Sequence, residues 1–238
     1  MKKLYDRDEV WFAVGWIVVY VLAFGNADQF SEQIGMPKLL TVIVGLLLSL
    51  LLYGFVRKNG LMMYLGLCPP QGKGRRYLWF IPLLAISSVN FWNGLMFNYP
   101  PVETLLFIVS MCFVGFLEEI IFRGLLFKGL CRGSVRTAIL VSSLTFGAGH
   151  IVNLLTGAAL FDTLLQLVYA SAIGFCFTAF FHASGSILPL ILSHAFINST
   201  SAFAVQPDAG THILMTVIQT FLGVGYGLWL LRQKKENV

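Results

Sequence analysis

Eight apolar runs, each closed by a short polar break, decide most of what this chain can become. They cover Val10–Gly25, Leu39–Phe55, Leu78–Phe97, Thr104–Leu126, Val135–Leu155, Leu160–Phe181, Gly185–Val205 and Ile213–Leu231. Hydrocarbon offers no partner to a backbone amide, so such runs cross a bilayer as helices of roughly 20 residues. The breaks carry turn chemistry: KNG, CPPQGKG, NYPP, CRGS, ASGS and QPDAG. Charged residues are 11% of the 238, against about a quarter in a soluble domain, which settles the class. The sequence predicts an all-α membrane protein: a polytopic bundle of about eight transmembrane helices in one integral-membrane domain, 1–238. The opening MKKLYDRDEV resembles the start of a signal peptide. The apolar run behind it is long for that role and no small-x-small cleavage site follows, so it reads as a retained span.

The basic residues test the count. Lys2, Lys3 and Arg7 precede the first run; Arg57, Lys58, Lys73, Arg75 and Arg76 lie between the second and third. Lys128, Arg132 and Arg136 follow the fourth, beside Arg123 at its end, and Arg232, Lys234 and Lys235 follow the eighth. Eight crossings put all of these on one side and leave only Lys38 opposite. The positive-inside rule makes the crowded side cytoplasmic, with both termini there. The formal charge of +5 is thus an orientation signal; no basic-aromatic patch argues for nucleic acid. Cys68, Cys112, Cys131 and Cys176 show neither paired spacing nor a C-x-x-C motif, and read as inert thiols.

Ionisable residues inside a span are costly and mark a site by default. In FLEEIIFRGLLF, Glu119 and Arg123 are four apart and share a helical face, as an ion pair would. Glu118 points about 100° away and has no partner on its own helix. A buried carboxylate of that kind suits a general base or proton carrier. In FGAGHIVN, Phe146 and His150 are four apart, Asn153 follows by three, and Gly147 and Gly149 allow close approach. In LPLILSHAFINST, His194 and Asn198 are four apart beside Ser193. Taken alone, the FGAGHIVN cluster is a weak signal, since a histidine beside an aromatic is often a satisfied interior residue. The His194 cluster, taken alone, slightly favours interhelical hydrogen bonding. Together, the glutamate, two histidines and asparagine are parts for activating water and stabilising an oxyanion. Residue type also allows a metal triad of Glu118, His150 and His194, zinc being the candidate, but the H-E-x-x-H spacing is absent. No cofactor is therefore expected. His182, His212, Asp162 and Glu103 sit at run ends, where solvation accounts for them.

The motifs E-E-x-x-x-R (Glu118, Glu119, Arg123), F-x-x-x-H (Phe146, His150) and H-x-x-x-N (His194, Asn198) occur in that order on separate spans. In this the chain resembles the CAAX protease and bacteriocin-processing (CPBP, or Abi) family of intramembrane proteases, over a core of residues 116–200. The resemblance implies an intramembrane endopeptidase acting on a membrane-associated protein or peptide. It implies that Glu118, aided by His150, activates water, that His194 and Asn198 hold the oxyanion, and that Glu119, Arg123 and Phe146 position the site. Members are often labelled metalloendopeptidases, while a metal-free glutamate mechanism has been argued for the eukaryotic enzymes. Small size, short loops and no organellar signal suggest a bacterial plasma-membrane member. Its substrate would then be a bacteriocin or pheromone precursor rather than a prenylated CAAX protein. The alternative is a non-enzymatic bacteriocin-immunity or partner-binding protein that keeps the cluster as polar glue.

Overall fold

The computed structural model describes residues 1–70 and 80–236. Lys73, Arg75, Arg76 and the first two residues of the third run lie outside the described residues. The helices are α1 (Lys2–Arg7), α2 (Glu9–Gln33), α3 (Leu39–Lys58), α4 (Phe80–Ser87) and α5 (Pro101–Glu118). The last continues as a π-helix, Glu119–Phe127, into α6 (Lys128–Leu130). Then come α7 (Val135–Gly149) with a 3-10 turn (His150–Thr156), α8 (Leu160–Ser184), α9 (Leu188–Thr200) and α10 (Ala209–Glu236). Local chemistry sets the ends. The Asp8 carboxylate accepts the amides of Val10 and Trp11 to open α2, Ser134 caps α7, and Pro101 stands in the first turn of α5. Gly185 takes φ 72° just past α8, a left-handed closure that a side chain would resist.

Six helical stretches are long and apolar enough to cross a bilayer: Glu9–Gln33, Leu39–Lys58, Pro101–Leu130, Val135–Thr156, Leu160–Ser184 and Ala209–Gln233. They coincide with six of the eight apolar runs. The other two depart from a simple span. In the third run α4 has 8 residues, then a 3-10 turn at Val89–Phe91 and an extended segment to Pro100. In the seventh, α9 has 13 residues, about 20 Å of helix, and yields to a 3-10 turn at Ser201–Phe203. The two irregular segments stabilise one another. Met96 N–H donates to the Phe203 carbonyl at 2.8 Å, and Leu95 and Ala204 form an isolated antiparallel bridge. Asn98 and Asn93 donate side-chain amides to the carbonyls of Ala204 and Val205, so backbone that left a helix is still satisfied.

The connections gather into two groups. Glu9 accepts from Arg132 at 2.6 Å and from Tyr64 at 3.0 Å, while Ser186 donates to the Cys68 carbonyl and Ile187 N–H to that of Gly66. In the other group Lys38 pairs with Asp28 and stands over the Phe107 ring, Tyr99 stacks on Phe107, and His212 bonds Asp162.

Between these groups the π-helix forms the centre of the core. All nine of its residues are buried. It packs against α2, α5, α7 and α8, and Ser142 of α7 donates to the Phe122 carbonyl that the wider spiral presents. Gly115 lets α5 close on α9: a Cβ there would stand 2.7 Å from the Ala195 nitrogen. Gly147 does the same for α7 against Ser171 of α8, whereas Gly149 faces open space.

Candidate active site

The π-helix, α7 and α9 bring their polar residues to one place. Arg123 and Glu119 have no exposed side-chain surface, and Arg123 Nη1 donates to Glu119 Oε1 at 3.0 Å. That same oxygen accepts from His194 Nδ1 at 2.8 Å. Arg123 Nη2 also reaches the Gly174 carbonyl of α8 at 3.4 Å. Its guanidinium carbon stands 4.1 Å from the Phe146 ring centre and 5.6 Å from that of Phe177, so aromatic faces supply what water would.

Glu118 is the more accessible glutamate, with 14% of its side chain exposed. Its Oε1 accepts the Tyr20 hydroxyl at 2.6 Å, and its Oε2 lies 3.7 Å from His194 Nε2. His194 thus stands between two consecutive glutamates, one at each ring nitrogen. Adjacent positions about 100° apart on a helix can share one imidazole because its nitrogens lie on different edges of the ring.

The other motif residues take distinct places. The Phe146 ring contacts His150 at 5.4 Å and His194 at 5.6 Å between centroids, and so joins the two histidines. His150 Nδ1 donates to the Phe146 carbonyl at 3.1 Å, which leaves its Nε2 as the basic nitrogen. Asn198 is half-buried one turn beyond His194, and its side chain makes no hydrogen bond among the described residues. Asn153 turns away to Gln166 of α8 at 2.8 Å, and Ser193 meets Ser87 of α4. Residues 100–200, which hold all seven motif positions, match the family model described as type II CAAX prenyl endopeptidase Rce1-like. Over that segment the chain is similar to CAAX-type prenyl endopeptidases. No curated protein and no solved structure matches it.

The site also includes residues that the motifs do not contain. Phe177 and Gly174 of α8 wall the guanidinium, and Tyr20 comes from α2, outside the matched segment. The only sequence signal for Tyr20 is a lone phenol within an apolar run. The proposed metal triad can be tested on its donors. Among the described residues, no group of three or more His, Cys, Asp or Glu side chains is gathered to hold a metal ion. Glu118 and His194 face each other across 3.7 Å.

Proposed function

We propose that the protein is an intramembrane endopeptidase of the glutamate type, cleaving a peptide bond in a membrane-associated protein or peptide. The observation that carries this reading is the state of Glu118: Oε1 is held by Tyr20, while Oε2 faces His194 Nε2 across 3.7 Å. That leaves one carboxylate oxygen without a hydrogen bond on a side chain that is 14% exposed, open to a proton from water.

The roles follow from the donors. A water between Glu118 and His150 Nε2 gives a proton to Glu118 Oε2 as its oxygen bonds to the scissile carbonyl carbon. The carbonyl electron pair moves to oxygen, and the oxyanion is met by Asn198 Nδ2–H and His194 Nε2–H. In this role His194 carries protons on both nitrogens, with Nδ1–H on Glu119. The intermediate collapses, the C–N bond breaks, and the proton on Glu118 passes to the leaving nitrogen. Arg123 and Phe146 keep Glu119, and through it His194, in place. No metal enters these steps.

Both termini face the cytoplasm of a bacterial cell in this reading. Its support is the basic residues together with the two groups of connections. The run of contacts Glu9–Arg132, Glu9–Tyr64 and Ser186–Cys68 joins loops assigned to one side, and Lys38–Asp28 and His212–Asp162 join loops assigned to the other. The substrate class is a bacteriocin- or pheromone-like precursor held at the membrane.

The test is cleavage by purified protein in liposomes, using two quenched fluorescent peptides: an unprenylated apolar precursor-like peptide and a farnesylated CAAX peptide. Cleavage of the first that survives chelator, in protein without stoichiometric metal, is expected. Chelator-sensitive cleavage with bound zinc contradicts the glutamate mechanism, and exclusive cleavage of the farnesylated peptide contradicts the substrate class.

A further inference from the structure

Tyr20 lies near the middle of α2, in an otherwise apolar stretch of the first span. A phenol left unpaired in hydrocarbon is costly. Here the hydroxyl meets that requirement 98 positions away, on Glu118 Oε1 at 2.6 Å. The ring is fixed as well: Tyr20 is buried, and it packs on Phe24 at 4.7 Å between centroids. Moreover, α2 lies against the π-helix that follows Glu118, so helix packing rather than a flexible loop sets the distance.

The hydrogen bond makes the two oxygens of Glu118 unequal. Oε1 is anchored, and Oε2 is turned toward His194 Nε2. We propose that Tyr20 is the positioning residue of this site, fixing the Glu118 carboxylate so that Oε2 is the oxygen that takes the proton from water. The first span is then part of the catalytic unit, although the family match begins at residue 100. This rests on the endopeptidase reading above. The groups facing the pair are His194 from α9, Glu119 and Arg123 from the same helix, and Asp28 two turns further along α2.

The experiment compares wild type, Tyr20→Phe, Glu118→Gln and the double variant in liposomes. Tyr20→Phe removes one hydroxyl and keeps the ring, so insertion and thermal stability serve as controls. Steady-state cleavage of the unprenylated quenched peptide is expected to show kcat lower by roughly 10- to 100-fold, the loss of a hydrogen bond to a charged group, with KM within about twofold. Adding Tyr20→Phe to Glu118→Gln is expected to change kcat no further. Infrared spectra supply a readout without substrate: the carboxylate band that disappears in Glu118→Gln shifts in Tyr20→Phe. An unshifted band, an unchanged kcat in an active preparation, or a loss confined to KM each overturn the positioning role. A wild type that cleaves no peptide overturns the endopeptidase reading itself, and this role with it.

Discussion

His194 Nδ1 lies 2.8 Å from Glu119 Oε1, an oxygen that also accepts from Arg123. One carboxylate therefore holds both the cation of its own helix and the imidazole of α9. Glu119 Oε2 and Arg123 Nε have no partner among the described residues, so this buried cluster has little polar bonding in reserve.

Removing one member should accordingly be costly. Arg123→Leu removes the guanidinium from the buried Glu119 charge and leaves only His194 beside it, and is expected to destabilise by about 3 kcal/mol. Combining Arg123→Leu with Glu119→Gln should recover part of that loss. Unfolding of the detergent-solubilised variants measures both; equal stability of the single variant and wild type contradicts the pairing.

Phe146 covers Arg123 and touches both histidine rings. Phe146→Leu keeps an apolar filler but removes the ring face, and is expected to cost about 2 kcal/mol of desolvated cation–π attraction. Activity should fall through kcat, since both histidines lose their common wall. Thermal unfolding and steady-state kinetics on the same preparation check the two parts.

Gly115 sets the distance between the helix bearing Glu118 and the helix bearing His194. In Gly115→Ala the new Cβ meets Ala195 backbone at 2.7 Å and 3.0 Å, so α9 must shift. The variant is expected to insert normally and to lose activity at least roughly tenfold, as misplacements of about 1 Å do. Gly149→Ala, with nothing within 4 Å, is the control that should stay active.

At the start of α10, Asp208 accepts the Thr211 amide at 3.0 Å and the Thr211 hydroxyl at 2.9 Å. These bonds hold its carboxyl below the ordinary carboxylate value. The stabilisation is complete above that ordinary value and is lost as pH falls through the depressed one. Amide exchange at Thr211 should speed up over that acidic interval, and Asp208→Asn, which caps without titrating, should remove the pH dependence.

Much of the bundle is legible in hydropathy because a long helix in lipid needs only apolar side chains at every turn. The third and seventh runs show where that reading stops. Asn90 and Asn93 lie in an apolar stretch and Asn98 just after it, and their side chains bond the backbone of the seventh run in a mutual brace. The three motifs were also legible in order, and Phe146 touches the rings of both His150 and His194. Spacing along one helix, however, says nothing of which partner arrives from another. Glu118 has no partner on its own helix, as expected, yet it is held by Tyr20, which no i, i+4 pattern marks. Nor does spacing reveal that His194 is the histidine beside Glu118, or that the chain widens to a π-helix just after it.

Whether Glu118 activates water is decided by replacing one of its oxygens. Glu118→Gln keeps size and hydrogen-bonding capacity but cannot take a proton. Liposomes holding wild type or Glu118→Gln, matched for inserted protein, are compared for turnover of the quenched precursor-like peptide. The expected result is a loss of about 10²- to 10⁴-fold in kcat with an intact fold. Turnover equal to wild type would contradict it.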